Sequence, residues 1–194
     1  MRITGGTLVR RNIKVPKQDV RPTTDMVREA LFSIIASRLP DAALLDLFAG
    51  SGIIGIEACS RGVKKVCGIE SSRNVIKVLR ANIAAMNIDN YQVIVADVVS
   101  ALDKGFAGDK FDIIFADPPY WWEEEQAELY SDKSIRGNNG EIPNLVRKSG
   151  CLAPGGLLIV ERAARDKPTE CEGWELIDHR IYGGTGLAFY EQKK

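Results

Sequence analysis

Asp117-Pro118-Pro119-Tyr120 follows the apolar run Phe111–Ala116, and its residue types suit chemistry on an amine. The lone pair of an exocyclic NH2 group on a nucleobase is delocalised into the ring, which makes that nitrogen a poor nucleophile. Two acceptors that hold both N–H bonds draw the nitrogen towards pyramidal geometry and localise the pair. The Asp117 carboxylate supplies one acceptor and the backbone carbonyl of Pro118 the other. Successive prolines aim that carbonyl because φ is locked and no N–H competes. Tyr120 offers a flat face on which a base can stack, worth roughly 1–3 kcal/mol. The competing reading is a rigid strand-to-loop turn with a surface tyrosine.

A second constellation lies upstream. Gly50, Gly52 and Gly55 have G-x-G-x-x-G spacing between an apolar strand and a helix, where glycines permit a tight turn and let a ligand approach the backbone. Glu70 stands twenty residues past Gly50 at a strand end, placed to accept hydrogen bonds from a ribose diol, with Ser71 beside it. Asp97 ends the next strand, within reach of an adenine amino group. NAD also fits this pattern. Asp46 beside the loop, followed by Phe48-Ala49-Gly50-Ser51-Gly52, favours a nucleoside with an amino-acid tail instead. An anionic Asp46 would repel a pyrophosphate and suit the ammonium or sulfonium of S-adenosylmethionine. The cofactor-binding candidates are therefore Asp46, Phe48, Gly50, Gly52, Glu70, Ser71, Asp97 and Asp117.

These groups need a scaffold that gathers strand ends. Strands are expected over 43–48, 66–70, 91–97, 111–117 and 157–162, separated by helices over 52–62 and 72–87 and a short helix after 97. The second helix places Val75, Val78, Leu79 and Ile83 on one face. Strands rich in β-branched residues alternating with helices predict a parallel, doubly wound α/β sheet. Two alternating runs around Gly183-Gly184-Thr185-Gly186 predict a closing antiparallel hairpin. Residues 1–40 form an expected N-terminal extension with a short strand near Ile13–Val15 and a helix after Pro22, and 41–194 the main domain. Thr23 or Thr24 can cap that helix, and Val27, Ala30, Leu31 and Ile34 fall on one face.

The 194 residues carry 26 basic and 26 acidic groups, so net charge alone names no partner. Residues 1–28, however, hold Arg2, Arg10, Arg11, Lys14, Lys17, Arg21 and Arg28 against only Asp19 and Asp25. Arg10 and Arg11 are the best candidates for phosphate contact, with Lys14 next to them. Cys59, Cys67, Cys151 and Cys171 form no C-x-x-C pair and read as reduced, mostly buried thiols, so neither disulfide nor metal site is expected. His179 reads as structural, and Glu161 as a solvated acid near the site. The first residues lack a continuous apolar stretch, which places the protein in the cytoplasm.

The set MRITGG, RPTTDMVREALF (21–32), DLFAGSGIIGIEA (46–58) and FADPPY (115–120) resembles the RsmD-type methyltransferases over nearly the whole chain. The resemblance implies a Rossmann-like class I S-adenosylmethionine-dependent fold, with a mostly parallel seven-stranded sheet and a C-terminal hairpin. It implies methylation of N2 of a guanine in bacterial small-subunit (16S) ribosomal RNA. It further implies that Arg21, Pro22 and Thr23 lie beside the methionine end of S-adenosylmethionine and that the basic arm meets RNA. On this reading Asp117, Pro118 and Tyr120 are catalytic, Arg10, Arg11 and Lys14 bind RNA, and the enzyme acts as a monomer on an assembled or partly assembled particle. The acid-rich Trp121-Trp122-Glu123-Glu124-Glu125 departs from what an RNA entrance should carry. The alternatives are an amino-methyltransferase for DNA adenine or protein glutamine, an NAD-dependent oxidoreductase, and a non-catalytic RNA-binding assembly factor.

Overall fold

The computed structural model describes residues 1–16, 24–118, 141–168 and 170–193. Their elements run α1 (Asp25–Ile34), β1 (Ala43–Asp46), α2 (Ile53–Ser60), β2 (Lys65–Glu70), α3 (Arg73–Ala85), β3 (Tyr91–Val95), α4 (Val98–Lys104) and β4 (Phe111–Ala116). After these come α5 (Glu141–Ser149), β5 (Leu152–Ala163), β6 (Trp174–Tyr182) and β7 (Thr185–Gln192). A 3-10 turn over Ala36–Arg38 follows α1.

The strands form one seven-stranded sheet in the order β3-β2-β1-β4-β5-β7-β6. Pairing is parallel from β3 to β5, and β7 inserts antiparallel between β5 and β6. The chain therefore winds outward from β1 in one direction as far as β3, then returns to the other side of β1 with β4. Side loops diverge at that reversal, which leaves a crevice at the carboxyl ends of β1 and β4.

Strand alternation divides the core into two layers. Leu44, Val66, Ile113, Phe115 and Ile159 pack with α1, α2 and α3, whereas Leu45, Cys67, Ile114, Leu158 and Val160 pack with α4 and α5. Ile3 and Ile13 are buried in the first layer, which pins the N-terminal arm to the same core. Each such side chain contributes roughly 1.5–3 kcal/mol.

Three local expectations are corrected. Only an isolated bridge, Arg2 with Asn12, forms where a strand near Ile13–Val15 was predicted. Ile34 is exposed, and α1 turns Val27, Arg28, Leu31 and Phe32 inward instead. β5 starts earlier than 157 because its register against β4 jumps between Phe111–Leu152 and Ile113–Leu157, where Pro154-Gly155-Gly156 bulges out of the ladder. Thr24 caps α1, its Oγ1 accepting from Val27 N–H at 3.4 Å. Among the described residues no helix is long and apolar enough to cross a membrane.

Candidate active site

β1 ends at Asp46, but its neighbours keep hold of the chain beyond that point. Leu47 N–H donates to Phe115 O and Ala49 N–H to Ile69 O, each at 2.9 Å. The loop is thus pinned to β4 on one side and β2 on the other. A 2.7 Å bond from Gly52 N–H to Ala49 O closes a tight turn, and Gly52 caps α2 with φ +85°. A Cβ on Gly52 would lie 2.3 Å from Leu79 Cδ1, so conformation and space both demand glycine there. At Gly55 the demand is packing: a Cβ would lie 2.3 Å from the Tyr91 ring. Gly55 thus lets α2 press onto the sheet.

Glu70, at the end of β2, organises the rim. Its Oε2 accepts from Gly50 N–H at 3.1 Å and its Oε1 from Ser72 N–H at 2.8 Å. Each oxygen keeps a further lone pair for a ligand hydroxyl. Ser71 itself is exposed, and Phe48 is half-buried against the second core layer.

Asp46 sits deeper, only 1% exposed, and neither carboxylate oxygen has a partner at full hydrogen-bond geometry. Burial pushes its pKa from 3.8 up to about 7; the Phe48 N–H opposes that rise, and the charges of Asp117 and Glu70 add to it. Three carboxylates from three strand ends therefore converge on one crevice. A buried, unsatisfied acid carrying that much electrostatic frustration is matched by a cationic ligand group, and ammonium or sulfonium fits.

Asp117 and Pro118 follow β4 directly and are both half-buried. Asp97 is exposed and caps α4, its Oδ1 accepting from Ser100 N–H at 3.1 Å, with the second oxygen left for a ligand. Arg21, Pro22, Thr23 and Tyr120 lie outside the described residues, as do Trp121 and Trp122. Arg10, Arg11 and Lys14 are exposed, as phosphate contacts must be. Arg28, counted with the basic arm from sequence, is fully buried, donating to Glu57 Oε2 at 3.3 Å, Asp25 Oδ1 at 2.9 Å and Arg2 O at 2.6 Å. Glu161 is buried rather than solvated. All four cysteines are free thiols.

Sequence reasoning missed Asn82. This buried residue of α3 donates to Ser51 O at 2.9 Å and to Lys14 O at 2.8 Å, and accepts from Lys14 N–H at 2.9 Å. It ties the basic arm to the glycine loop through one side chain. Its signal was visible: an amide one residue before Ile83, on the apolar side of α3.

A seven-stranded sheet in this order, with a glycine turn after β1 and an acid closing β2, defines a class I S-adenosylmethionine-dependent methyltransferase. Residues 1–191 match the family described as Conserved hypothetical protein 95. Ribosomal RNA small subunit methyltransferase D of Escherichia coli K12 is 34% identical over all of this chain and 90% of its own length. The protein of the same name from Haemophilus influenzae is 29% identical over 98% of this chain and 93% of its own. The solved structure of an Escherichia coli chain assigned as a methyltransferase superposes with TM-score 0.82 at 33% identity, covering 100% of this chain and 98% of that one. This chain belongs to the ribosomal RNA small subunit methyltransferase D family.

Proposed function

We propose that the chain transfers a methyl group from S-adenosylmethionine to the exocyclic N2 of a guanine in small-subunit ribosomal RNA. The observation that carries this reading is Asp117-Pro118 at the end of β4, close enough to the buried Asp46 for their charges to repel. This proximity supports an amine-gripping acid beside the pocket of a cationic cofactor.

S-adenosylmethionine, when bound, supplies an electrophilic methyl carbon on a sulfonium. The chain's own groups do the rest by orientation. Asp46 faces the cationic amino-acid portion, which the resemblance to the family also assigns to Arg21, Pro22 and Thr23. Glu70 takes the ribose hydroxyls on lone pairs not used by Gly50 and Ser72. Gly50 and Gly52 leave room for close approach, Phe48 and Ser71 line the pocket, and Asp97 accepts from the adenine amine. Asp117 and the Pro118 carbonyl grip the two N–H bonds of the guanine amine, and Tyr120 stacks on the extruded base. Extrusion costs a few kcal/mol. Alignment of nitrogen with the methyl carbon is the main catalytic contribution, and the amine proton departs after attack. Arg10, Arg11 and Lys14 hold RNA phosphates. The protein acts in the cytoplasm as a monomer, on a small-subunit particle that supplies further contacts.

Asp117→Ala tests the role of that acid. The variant should bind S-adenosylmethionine within a few-fold of wild type and lose about 100-fold or more in single-turnover transfer. Transfer near the wild-type rate would remove Asp117 from the mechanism.

A further inference from the structure

α3 presents Arg73, Lys77 and Arg80 to solvent while burying Val75, Ile76, Leu79 and Asn82. At 100° per residue the three basic side chains fall within an arc of about 60°. The stripe continues beyond the helix: Arg11, on the docked N-terminal arm, donates to Ala85 O at 2.8 Å. From Arg73 to Ala85 the row is about 18 Å long. Residues 1–16 and 73–85 together contain Arg2, Arg10, Arg11, Lys14, Arg73, Lys77 and Arg80 and no acid at all, in a chain whose formal charge is zero.

Stability does not account for this arrangement. Solvated helix faces usually alternate charge signs and gain from oppositely charged pairs three or four residues apart. Here Arg73–Lys77 and Lys77–Arg80 are like-charge pairs at those spacings, and Arg73 sits in the first turn, where the helix dipole disfavours a cation. Lys65, Arg38, Arg61 and Lys148 all have acid partners. Within the described residues the basic groups of the α3 stripe have none. A continuous row of unpaired cations is complementary to a polyanion.

We propose that the outer face of α3 and the N-terminal arm docked against its end form one phosphate-contacting surface for the RNA strand flanking the target guanine. This rests on RNA being the substrate. Arg73 stands one residue after Ser72, whose N–H is held by Glu70, so the row begins at the cofactor rim and leads away from it. Asn82 fixes its geometry by tying the arm, the helix and the glycine loop together.

The triple variant R73Q/K77Q/R80Q keeps helix-forming side chains while removing the charges. It should be assayed with labelled S-adenosylmethionine on small-subunit particles lacking base methylation, across a salt series, beside wild type and the K64Q/K104Q variant. Lys64 and Lys104 are exposed and lie outside both α3 and the arm, Lys64 preceding β2 and Lys104 ending α4. The triple variant should match wild type in cofactor affinity, circular dichroism and kcat at saturating particle. Its KM for particles should rise about 10-fold, and its dependence of log KM on log salt should flatten by up to about 2. K64Q/K104Q should show neither change. KM and salt slope equal to wild type, or an equal effect of the K64Q/K104Q variant, would overturn the α3 surface. Wild-type transfer to no RNA at all would overturn the substrate reading itself, and this surface with it.

Discussion

Gly50 and Glu70, twenty residues apart, are joined directly: the Gly50 N–H donates to Glu70 Oε2 at 3.1 Å. The acid that closes β2 is therefore part of the turn that closes β1. Spacing in sequence becomes contact because the two strands are parallel neighbours, with Asp46 opposite Gly68.

Glu70→Ala should consequently do more than delete a ribose contact. It frees the N–H groups of Gly50 and Ser72 and loosens the loop. Hydrogen bonds to a charged group are worth roughly 1.5–3 kcal/mol, so cofactor affinity should fall about 10- to 100-fold. Calorimetric titration with S-adenosylhomocysteine reads this directly; unchanged affinity would separate Glu70 from the site.

Asp46 makes binding depend on pH. Its folded pKa of about 7 lies above the ordinary 3.8, so the folded protein without cofactor holds a proton that the unfolded chain gives up. Stability from this group is complete below about pH 4 and is lost as pH rises through 7, a change of up to roughly 4 kcal/mol. Asp46→Asn should therefore raise the Tm of the cofactor-free protein at pH 8 while weakening cofactor binding. A cationic ligand requires the anion, so binding below pH 7 should release protons, seen as buffer-dependent heats at pH 6. Equal heats in all buffers, with a Tm unchanged or lowered by Asp46→Asn, would contradict this account.

Asn82→Ala should unclip the basic arm. The substitution removes the partner of the buried Ser51 carbonyl, at about 1–3 kcal/mol, and of the partly buried N–H and carbonyl of Lys14. Hydrogen exchange at Lys14 should accelerate, and cofactor affinity should drop although Asn82 sits behind the loop. Exchange at Lys14 that stayed slow would show that the arm is held without the Asn82 side chain.

The sequence stated its strand ends clearly because period-two burial, glycine turns and acids coincide there. Asp46, Glu70, Asp97 and Asp117 all stand at or just past the ends of their strands, as read from pattern. Polar residues inside apolar faces were less legible. Arg28 was counted with the basic arm because charge in a sequence carries no depth; Glu57, on α2, is its buried partner. On α1 Phe32 is buried and Ile34 exposed, a choice of face that helical spacing alone did not separate. Asn82 showed as an amide on the apolar side of α3, but its partners are backbone atoms of Ser51 and Lys14, which leave no mark in a residue pattern. The expected strand over 157–162 missed the bulged start of β5, since Pro154-Gly155-Gly156 has turn chemistry whether or not pairing continues across it.

The most direct measurement is transfer of labelled methyl from S-adenosylmethionine to small-subunit particles lacking base methylation, with naked ribosomal RNA and DNA in parallel, followed by nucleoside analysis. The account predicts label as N2-methylguanosine in the particle RNA. Absence of label from the particle and from both nucleic acids, with the cofactor demonstrably bound, would contradict it.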